Sequence, residues 1–434
     1  MGVKICVVGG GSTYTPELVE GLAVRGGRVP IDELVLLDID PERRDIVGGL
    51  AARMLRRLGW PGRLVLTDDA DVAIDGADFV VMQLRVGGQA ARQVDETLPL
   101  RFGTIGQETT GAGGFAKALR TVPVILDLAE RAARRAAPGH WIVDFTNPVG
   151  IVTQALLDEG HRAIGLCNVA IGFQRRFAAR FDVAPERVEL DHVGLNHLTW
   201  IRAIRVDGVD RLPELLENDA ESLAAGVSMP VELIRSLRAI PSYYLSYYYL
   251  FETVLADQKR EGHETRAEAV ADIEHELLTM YRNPNLDEKP ALLGKRGGAF
   301  YSEAAAQLIA SLHDNRGDVQ VVNVANEGTL PGLAPSDVIE VPARVDRSGA
   351  TPLAVPPLDA DMRGLVQHAK AYEQLAVRAA KSGSRPDALR ALLANPLVRG
   401  WEMAEPLLDA LLEANEGHLP RFKHDATAGA VTPS

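Results

Sequence analysis

Two residues in separate segments of the chain could together bind a metal ion. Cys167 lies in the segment GLCN and His197 in the segment GLNHLTW. A thiolate and an imidazole suit a borderline-soft transition metal better than Mg²⁺, and two protein ligands leave positions open for substrate oxygens and water. Taken singly, each has a more ordinary explanation, since an isolated cysteine is usually a small buried residue. His192, five residues before His197, is such a bystander. Only the pair favours a metal site.

A cluster of tyrosines in the segment AIPSYYLSYYYLFE could supply a catalytic base. A phenol has a pKa near ~10, so it acts as a base only where a nearby cation stabilises the phenolate. The same cluster is typical of an aromatic core or an interface. Its members are Tyr243, Tyr244, Tyr247, Tyr248 and Tyr249. The residues alone leave both roles open.

A glycine- and threonine-rich segment after a predicted strand carries charges that could bind an anion. It contains Arg85, Arg92 and Glu108. Fixed arginines at the carboxyl end of a strand favour a clamp for a phosphate or a sugar, although a mobile surface loop could have the same composition. Another strand ends in Asn147-Pro148, where the amide can face a ligand at the edge of the sheet. Three later residues are either ligands or surface charge: Arg266, Lys295 and Arg296.

The N-terminal segment ICVVGGGSTYTPELVEGL indicates a dinucleotide site. Gly9 and Gly11 fit the pattern G-x-G-x-x-G between a strand and a helix, whereas Tyr14 replaces the third glycine. Such a turn brings backbone N–H groups and a helix N-terminus to a pyrophosphate. Asp38, at the end of LVLLDID, could accept hydrogen bonds from the ribose hydroxyls, which favours NAD over NADP. Asp38 could instead cap the next helix, a role that also suits Asp40.

The order of elements predicts the framework for these residues. Apolar strands alternate with amphipathic helices in the first part of the chain, which predicts an α/β fold with a doubly wound parallel sheet of the Rossmann type. Strands are predicted over 4–8, 34–37, 79–84 and 141–145, and helices over 16–24, 41–58 and 116–136. Longer helices with aromatic and charged loops begin near residue 190. We therefore expect an NAD-binding domain over 1–165, a catalytic α+β domain over 166–434, and a weakly ordered tail from about 418.

Length and composition exclude several classes of protein. A chain of 434 residues predicts two to three domains. Its formal net charge of −13 disfavours binding to nucleic acid or to an anionic membrane. No segment is apolar over the ~18 residues needed to span a bilayer, and Cys6 lies in an apolar run, so a disulfide with Cys167 is not expected. These features predict a cytoplasmic protein.

Taken together, the motifs resemble glycoside hydrolase family 4 over nearly the whole chain. The matching segments are VVGGGSTYTPEL, QLRVGGQAARQVDETLPLRFGTIGQET, NPVGIV, GLCN, GLNHLTW, PSYYLSYYY and HETRAEAV. The resemblance implies an NAD-binding domain followed by a catalytic domain like that of lactate and malate dehydrogenases. It also implies hydrolysis without the paired carboxylates of most glycosidases. In that chemistry C3 of the sugar is oxidised, a proton leaves C2, and the bond at C1 breaks by elimination; water then adds at C1, the proton returns to C2 and the hydride returns to C3.

The resemblance also implies roles for individual residues. It assigns NAD to Gly9, Gly10, Gly11, Ser12, Thr13 and Asp38; the sugar or its phosphate to Arg92, Asn147, Asn168 and Arg266; a divalent metal, usually Mn²⁺, to Cys167 and His197; and the catalytic base to Tyr244. The chain is most similar to the 6-phospho-β-glucosidases, because Asn168 replaces the Asp of the α-specific branch and because of the segment KRGGAFYS. Ala170 stands where the family commonly has proline.

The expected substrate is therefore a phosphorylated disaccharide or an aryl glycoside. One alternative is a family 4 glycosidase that acts on an unphosphorylated or α-linked sugar. Another is an NAD-dependent dehydrogenase of the lactate/malate type, which would need no metal. A sugar-phosphate sensor that binds NAD without catalysis would leave the tyrosine and the metal pair unexplained. A homodimer or homotetramer is expected.

Overall fold

The computed structural model describes residues 2–24, 29–298 and 300–422. Within these ranges thirteen strands form one mixed sheet with helices on both faces. The strands are β1 (Val3–Val8), β2 (Ile31–Leu37), β3 (Arg63–Thr67), β4 (Phe79–Met82), β5 (Trp141–Asp144), β6 (Ala163–Gly165), β7 (Val188–Leu195), β8 (Leu198–Val206), β9 (Val209–Asp210), β10 (Ile240–Pro241), β11 (Asp318–Ala325), β12 (Val338–Asp346) and β13 (Gly349–Pro352).

The α-helices are spread along the whole described chain. They are α1 (Thr15–Val24), α2 (Pro41–Arg57), α3 (Ala70–Ile74), α4 (Gly88–Thr97), α5 (Gly111–Arg135), α6 (Val149–Asp158), α7 (Asn168–Phe181), α8 (Leu212–Asn218), α9 (Ala220–Val227), α10 (Val231–Leu237), α11 (Ser246–Tyr249), α12 (Phe251–Gln258), α13 (Arg266–Tyr281), α14 (Tyr301–Asp314), α15 (Ala360–Ser382), α16 (Arg385–Leu393) and α17 (Trp401–Ala414). None of them has the length and apolar character needed to cross a bilayer among the described residues.

The first six strands form the predicted Rossmann sheet. They are parallel and lie in the order β3-β2-β1-β4-β5-β6, which is the dinucleotide-binding order. Both faces are covered, so the strands are apolar throughout: Leu34 and Leu36 of β2 pack into one core, and Val35 and Leu37 pack into the other. Complete burial of each such side chain stabilises the fold by about 1.5–3 kcal/mol.

Two strands of this sheet were missed by the sequence analysis. β3 is an edge strand whose residues are all partly or largely exposed, so it lacks the apolar run of a buried strand. β6 has three residues, which is too short for a periodicity to be recognised. The sequence therefore predicted four parallel strands where the structure has six.

The second half of the sheet is antiparallel, and the sequence did not indicate how many strands it contains. β7 pairs with β8, β11 pairs with β12, and β11 joins the parallel part by pairing with β6 at Asn323 and Gly165. The expectation of longer helices from about residue 190 omitted these four long strands. β7, β8 and β12 are buried along most of their length, so they lack the polar alternation that marks a half-exposed strand. One sheet thus carries the elements that hold the candidate site.

Candidate active site

The turn between β1 and α1 lies closely against β2. Gly9 has a φ of +84°, a conformation that favours glycine, and the amides of Gly9 and Gly10 donate to Leu37 O at 2.9 and 2.8 Å. A Cβ on Gly10 would stand 2.7 Å from the Leu36 Cβ. The turn then leads through Ser12 into α1. This is a cradle that leaves room for a ligand's phosphates only because its glycines lack side chains.

Asp38 and Asp40 have separate roles. The Asp38 carboxylate accepts from the Gly11 amide at 2.7 Å and from the Asp40 amide at 3.0 Å, and it remains partly exposed. Asp40 caps α2 by accepting from the Arg43 amide at 3.0 Å. The cap expected of Asp40 is confirmed, and Asp38 lies beside the glycine turn, where ribose hydroxyls could reach it.

An ion-pair network holds this turn, and the sequence analysis missed it. Arg296 donates to Glu274 at 2.7 Å and to the Thr13 hydroxyl at 2.6 Å, while Arg43 approaches the other Glu274 oxygen at 3.4 Å. The Arg296 side chain is only 16% exposed, so it is not surface charge. Arg296 thus lies against the glycine turn, a long-range contact with no local signature.

Glu108 is the centre of a buried cationic cluster. Its carboxylate contacts Arg85, Arg92 at 3.2 Å and Lys117 at 2.6 Å. Burial acts to raise the pKa of Glu108, but the three cations hold that pKa well below its usual range. Burial lowers the pKa of Lys117 to about 8. Arg85 and Arg92 are therefore held in ion pairs with Glu108, and the clamp expected of them stays a prediction.

Arg266 reaches the same region from another element. Arg92 donates to Glu96 at 2.7 Å, and the second oxygen of Glu96 accepts from the Ala267 amide at 2.8 Å. Glu96 thus joins α4 to the first turn of α13, which begins at Arg266. The Arg266 guanidinium is exposed and donates to the carbonyl of Lys295 at 3.1 Å. Glu96 therefore connects Arg92 to the helix that Arg266 begins, although the two arginines are far apart in the sequence.

Asn147 lies at the carboxyl end of β5, next to a cis peptide bond with Pro148. Its Oδ1 is buried and has no hydrogen-bond partner among the described residues. A buried acceptor of this kind costs free energy unless a ligand or water donates to it. The position fits a ligand hydroxyl, as the sequence predicted for the edge of the sheet.

Cys167 and His197 come together with Tyr244. Cys167 ends the segment after β6 and precedes α7, and its thiol lies near Asn196 and Tyr301. His197 occupies the turn of the β7–β8 hairpin with a φ of +63°. Its imidazole stacks on the Tyr244 ring with centroids 3.7 Å apart and an interplanar angle of 10°.

The protonation states of these three groups are set mainly by burial. Burial raises the pKa of the Cys167 thiol, and burial together with neighbouring tyrosines raises the pKa of Tyr244 well above its usual range. Burial lowers the pKa of His197 to about 4. In the chain alone, the thiol and the phenol are protonated and the imidazole is neutral. A divalent cation would favour the thiolate and the phenolate and needs a neutral imidazole.

The donor set fits a metal ion that shares its ligands with a substrate. In the described ranges no group of three or more His, Cys, Asp or Glu side chains is arranged to hold a metal ion. The Cys167–His197 pair has the sulfur and nitrogen donors of a borderline-soft site. It leaves the remaining positions to oxygens from a sugar or water. A divalent ion held by these two residues would need such oxygens to complete its coordination.

Glu340 holds residues next to the Cys167–His197 pair, and the sequence did not indicate this role. It is buried, and it accepts from Asn196 at 2.8 Å and contacts His192 at 2.9 Å. Asn196 in turn lies against the Cys167 thiol. His192, predicted to be a bystander, contacts Glu340 and so belongs to the layer that holds the hairpin turn.

Comparisons with known proteins agree with this geometry. A family model described as "Family 4 glycosyl hydrolase" matches residues 4–183, and the corresponding C-terminal domain matches residues 192–398. The chain belongs to glycosyl hydrolase family 4. A probable 6-phospho-β-glucosidase of Bacillus subtilis is 42% identical over 97% of this chain and 98% of that protein.

Solved structures of this family and of a dehydrogenase are also similar. The 6-phospho-β-glucosidase of Thermotoga maritima, solved with manganese, NAD⁺ and glucose-6-phosphate, has a TM-score of 0.89 and 36% identity over 96% of this chain and 99% of that chain. Malate dehydrogenase from Plasmodium falciparum has a TM-score of 0.53 at 16% identity over 87% and 98%. The dehydrogenase likeness concerns the fold alone, and the predicted fold class is confirmed.

Proposed function

We propose that this family 4 enzyme hydrolyses 6-phospho-β-glucosides and needs NAD⁺ and a divalent metal such as Mn²⁺. The observation that carries the proposal is the stack of Tyr244 on His197, 3.7 Å between centroids, beside Cys167. This contact supports a base acting next to a metal pair, a combination that a hydroxy-acid dehydrogenase does not require. The relatives named as 6-phospho-β-glucosidases support the substrate class.

The phosphate would bind at the cationic cluster. Arg92 on α4 and Arg266 at the start of α13 would contact the phosphate. Arg85 and Lys117, which form ion pairs with Glu108, add positive charge nearby. Guanidinium groups bind phosphate with paired, charge-assisted hydrogen bonds. Asn147 and Asn168 would contact sugar hydroxyls. For Asn147 the reason is that its Oδ1 is a buried acceptor with no hydrogen-bond partner among the described residues.

The cofactors supply the redox and charge-stabilising chemistry: when bound, NAD⁺ accepts a hydride from C3 of the sugar and the metal stabilises negative charge beside it. Gly9 to Thr13 and Asp38 would hold the dinucleotide, and Cys167 with His197 would hold the cation. Tyr244 would remove the proton from C2. Asn168 carries an amide, which has no acidic proton for the leaving group, so a good leaving group or a water must serve.

The experiment is a panel of nitrophenyl 6-phosphoglycosides with α and β linkages and gluco and galacto configurations. We expect turnover of the β-gluco compound only with NAD⁺, Mn²⁺ and reductant present. Cys167→Ser should abolish turnover, while Cys6→Ala, the control at the other buried thiol, should retain it. Activity after metal removal, or an active Cys167→Ser, would overturn the mechanism. Turnover of an unphosphorylated sugar alone would overturn only the substrate.

Three further expectations stay predictions. A homodimer or homotetramer is expected and can be checked by sedimentation. A cytoplasmic location is expected and can be checked by cell fractionation. The division at residue 165 falls at the end of β6, where the parallel strands meet antiparallel β11, and limited proteolysis would test it.

A further inference from the structure

A cavity of about 460 Å³ opens beside the metal pair and the base. Three of its lining residues precede or follow a residue of that site in the chain. Asn168 follows Cys167, Tyr243 precedes Tyr244, and Phe300 precedes Tyr301, whose hydroxyl lies near the Cys167 thiol. The cavity is therefore bordered by residues adjacent in the chain to Cys167 and Tyr244, beside which C1 and C2 of a bound sugar would lie. Its size is typical of a small-molecule site.

The walls of this cavity suit an aromatic ring. Tyr243 and Phe300 are 42% and 38% exposed, and Phe300 is held at a φ of +69° at the start of α14. Phe173 forms the floor, with the Arg176 guanidinium 5.1 Å from its ring centroid. The Arg92–Glu108 cluster does not line the cavity, so the phosphate end of the substrate and this cavity are separate.

We propose that this cavity is the subsite for the leaving group and that it selects an aromatic aglycone. The inference rests on the proposed function, because it places C1 beside Asn168. An aryl group would stack against Tyr243 and Phe300, and Arg176 would face a polar substituent at the rim. An aromatic aglycone also suits the cleavage of the bond at C1. A phenolate can leave without being protonated by a strong acid, and Asn168 provides no such acid.

The test compares nitrophenyl and trifluoroethyl 6-phospho-β-glucosides on Phe300→Ala, because the trifluoroethyl group is aliphatic but still leaves as a stabilised alkoxide. We expect KM for the nitrophenyl compound to rise about 3- to 10-fold, the range of one aromatic stack, with KM for the trifluoroethyl compound unchanged. Trp401→Ala, which removes an aromatic side chain 51% exposed outside the cavity, should change neither. Equal effects of Phe300→Ala on both compounds, or no effect, would overturn the subsite. Wild type that cleaves neither compound would instead overturn the proposed function.

A different observation concerns the ring nitrogens of His197. Its Nδ1 lies 3.0 Å from the Thr109 hydroxyl, and that hydroxyl lies 2.8 Å from the Gln107 Oε1. The Thr110 amide donates to the same Oε1 at 2.9 Å, which fixes the oxygen rather than the nitrogen of the Gln107 amide in this position.

The hydrogen-bond chain favours one tautomer. With the single Thr109 hydroxyl hydrogen donated to the Gln107 Oε1, the Thr109 oxygen accepts from His197, and Nδ1 carries the hydrogen. The lone pair of Nε2 is then left for a metal ion. We infer that Thr109 is a positioning residue that fixes the tautomer and the ring orientation of His197. This second inference also rests on the proposed metal site.

Thr109→Val keeps the side-chain shape and removes the acceptor. We expect Mn²⁺ affinity, measured by electron paramagnetic resonance, to fall about 10- to 100-fold. In ¹⁵N spectra of the metal-free protein, the His197 signal, assigned from His197→Gln, should lose its Nδ1–H character. Thr109→Ser should restore both.

The matched control is Thr110→Val. The Thr110 hydroxyl also donates to the Gln107 Oε1, at 3.1 Å, but it is not the group that bonds His197. This variant should keep the tautomer and the Mn²⁺ affinity. A Thr109→Val protein that behaves like Thr110→Val would overturn the inference. Mn²⁺ affinity that survives Cys167→Ser and His197→Gln would overturn the metal site instead, while the ¹⁵N spectra still decide the tautomer.

Discussion

Glu108 shows how much one carboxylate contributes to this site. It is the shared partner of Arg85, Arg92 and Lys117, and the three cations hold its pKa well below the usual range. Without it, like charges would be buried together with no compensation. The phosphate site therefore needs a negative charge to keep its positive charges in place.

Glu108→Gln should lower the free energy of unfolding by about 3–5 kcal/mol, the usual cost of removing one partner from a buried ion pair. Urea unfolding measures it. Glu130→Gln, which breaks an exposed pair with Arg134, is the control and should stay within about 1 kcal/mol of wild type. A loss for Glu108→Gln no larger than that of the control would contradict the buried cluster.

Asp144 provides a pH-dependent prediction. Burial raises the pKa of Asp144 to about 8, whereas the unfolded chain releases this proton near ~4. Between these values the folded state binds the proton and the unfolded state does not, so the stabilisation is complete below pH ~4 and is lost as the pH rises through 8. Asp144→Asn has nothing to titrate and removes this dependence.

Urea unfolding at pH 5, 6, 7 and 8 should therefore show wild type losing stability relative to Asp144→Asn, by at most about 1.4 kcal/mol per pH unit. Asp127→Asn, at an exposed aspartate paired with Arg131, should keep the wild-type slope. A difference between wild type and Asp144→Asn that does not vary with pH would contradict a raised pKa.

At the scale of elements, the β1–α1 turn depends on its close approach to β2. A Cβ on Gly10 would stand 2.7 Å from the Leu36 Cβ and 2.9 Å from its Cα, and backbone atoms cannot move away without moving the strand. Gly10→Ala should therefore lower the free energy of unfolding by about 1–3 kcal/mol and weaken NAD⁺ binding, measured by calorimetry.

Gly49→Ala is the control for this change. Gly49 lies inside α2, and its added Cβ would meet only the end of the Arg53 side chain at 3.5 Å. It should leave NAD⁺ affinity unchanged and raise stability by about 0.4–1 kcal/mol. Unchanged NAD⁺ affinity in Gly10→Ala would contradict the placement of the cofactor at this turn.

An element could be predicted from the sequence where adjacent residues determine it. The glycine turn, the cap at Asp40 and the buried strand β1 follow from adjacent residues, and all appear in the structure. Arg296 on Thr13, Thr109 on His197 and Glu340 behind Asn196 could not be predicted, because each contact joins residues far apart in the sequence. The family resemblance supplied the ligands and the base, but not the residues that hold them.

At the scale of the whole molecule, the sheet continues from the Rossmann part into the antiparallel part. The core on one face contains residues of α5 together with Tyr372 and Ala376 of α15. Sequence periodicity could not show this, since the contact joins two helices that are far apart in the chain. Both halves of the sequence thus contribute to this core.

A shared core predicts one cooperative unfolding transition. Calorimetry and far-ultraviolet circular dichroism should give coincident transitions, because neither half keeps its core without the other. The addition of NAD⁺ should shift the whole transition upwards. Two separated transitions, with only the first sensitive to NAD⁺, would contradict the shared core and favour independent domains.

The most direct test of the central claim is hydrolysis of a 6-phospho-β-glucoside in D₂O. If Tyr244 removes the C2 proton during transient oxidation, the product glucose 6-phosphate should carry deuterium at C2. The reaction should require NAD⁺ without consuming it, and Tyr244→Phe should lose both turnover and label. Hydrolysis that proceeds without NAD⁺ and gives product with no deuterium at C2 would contradict the account.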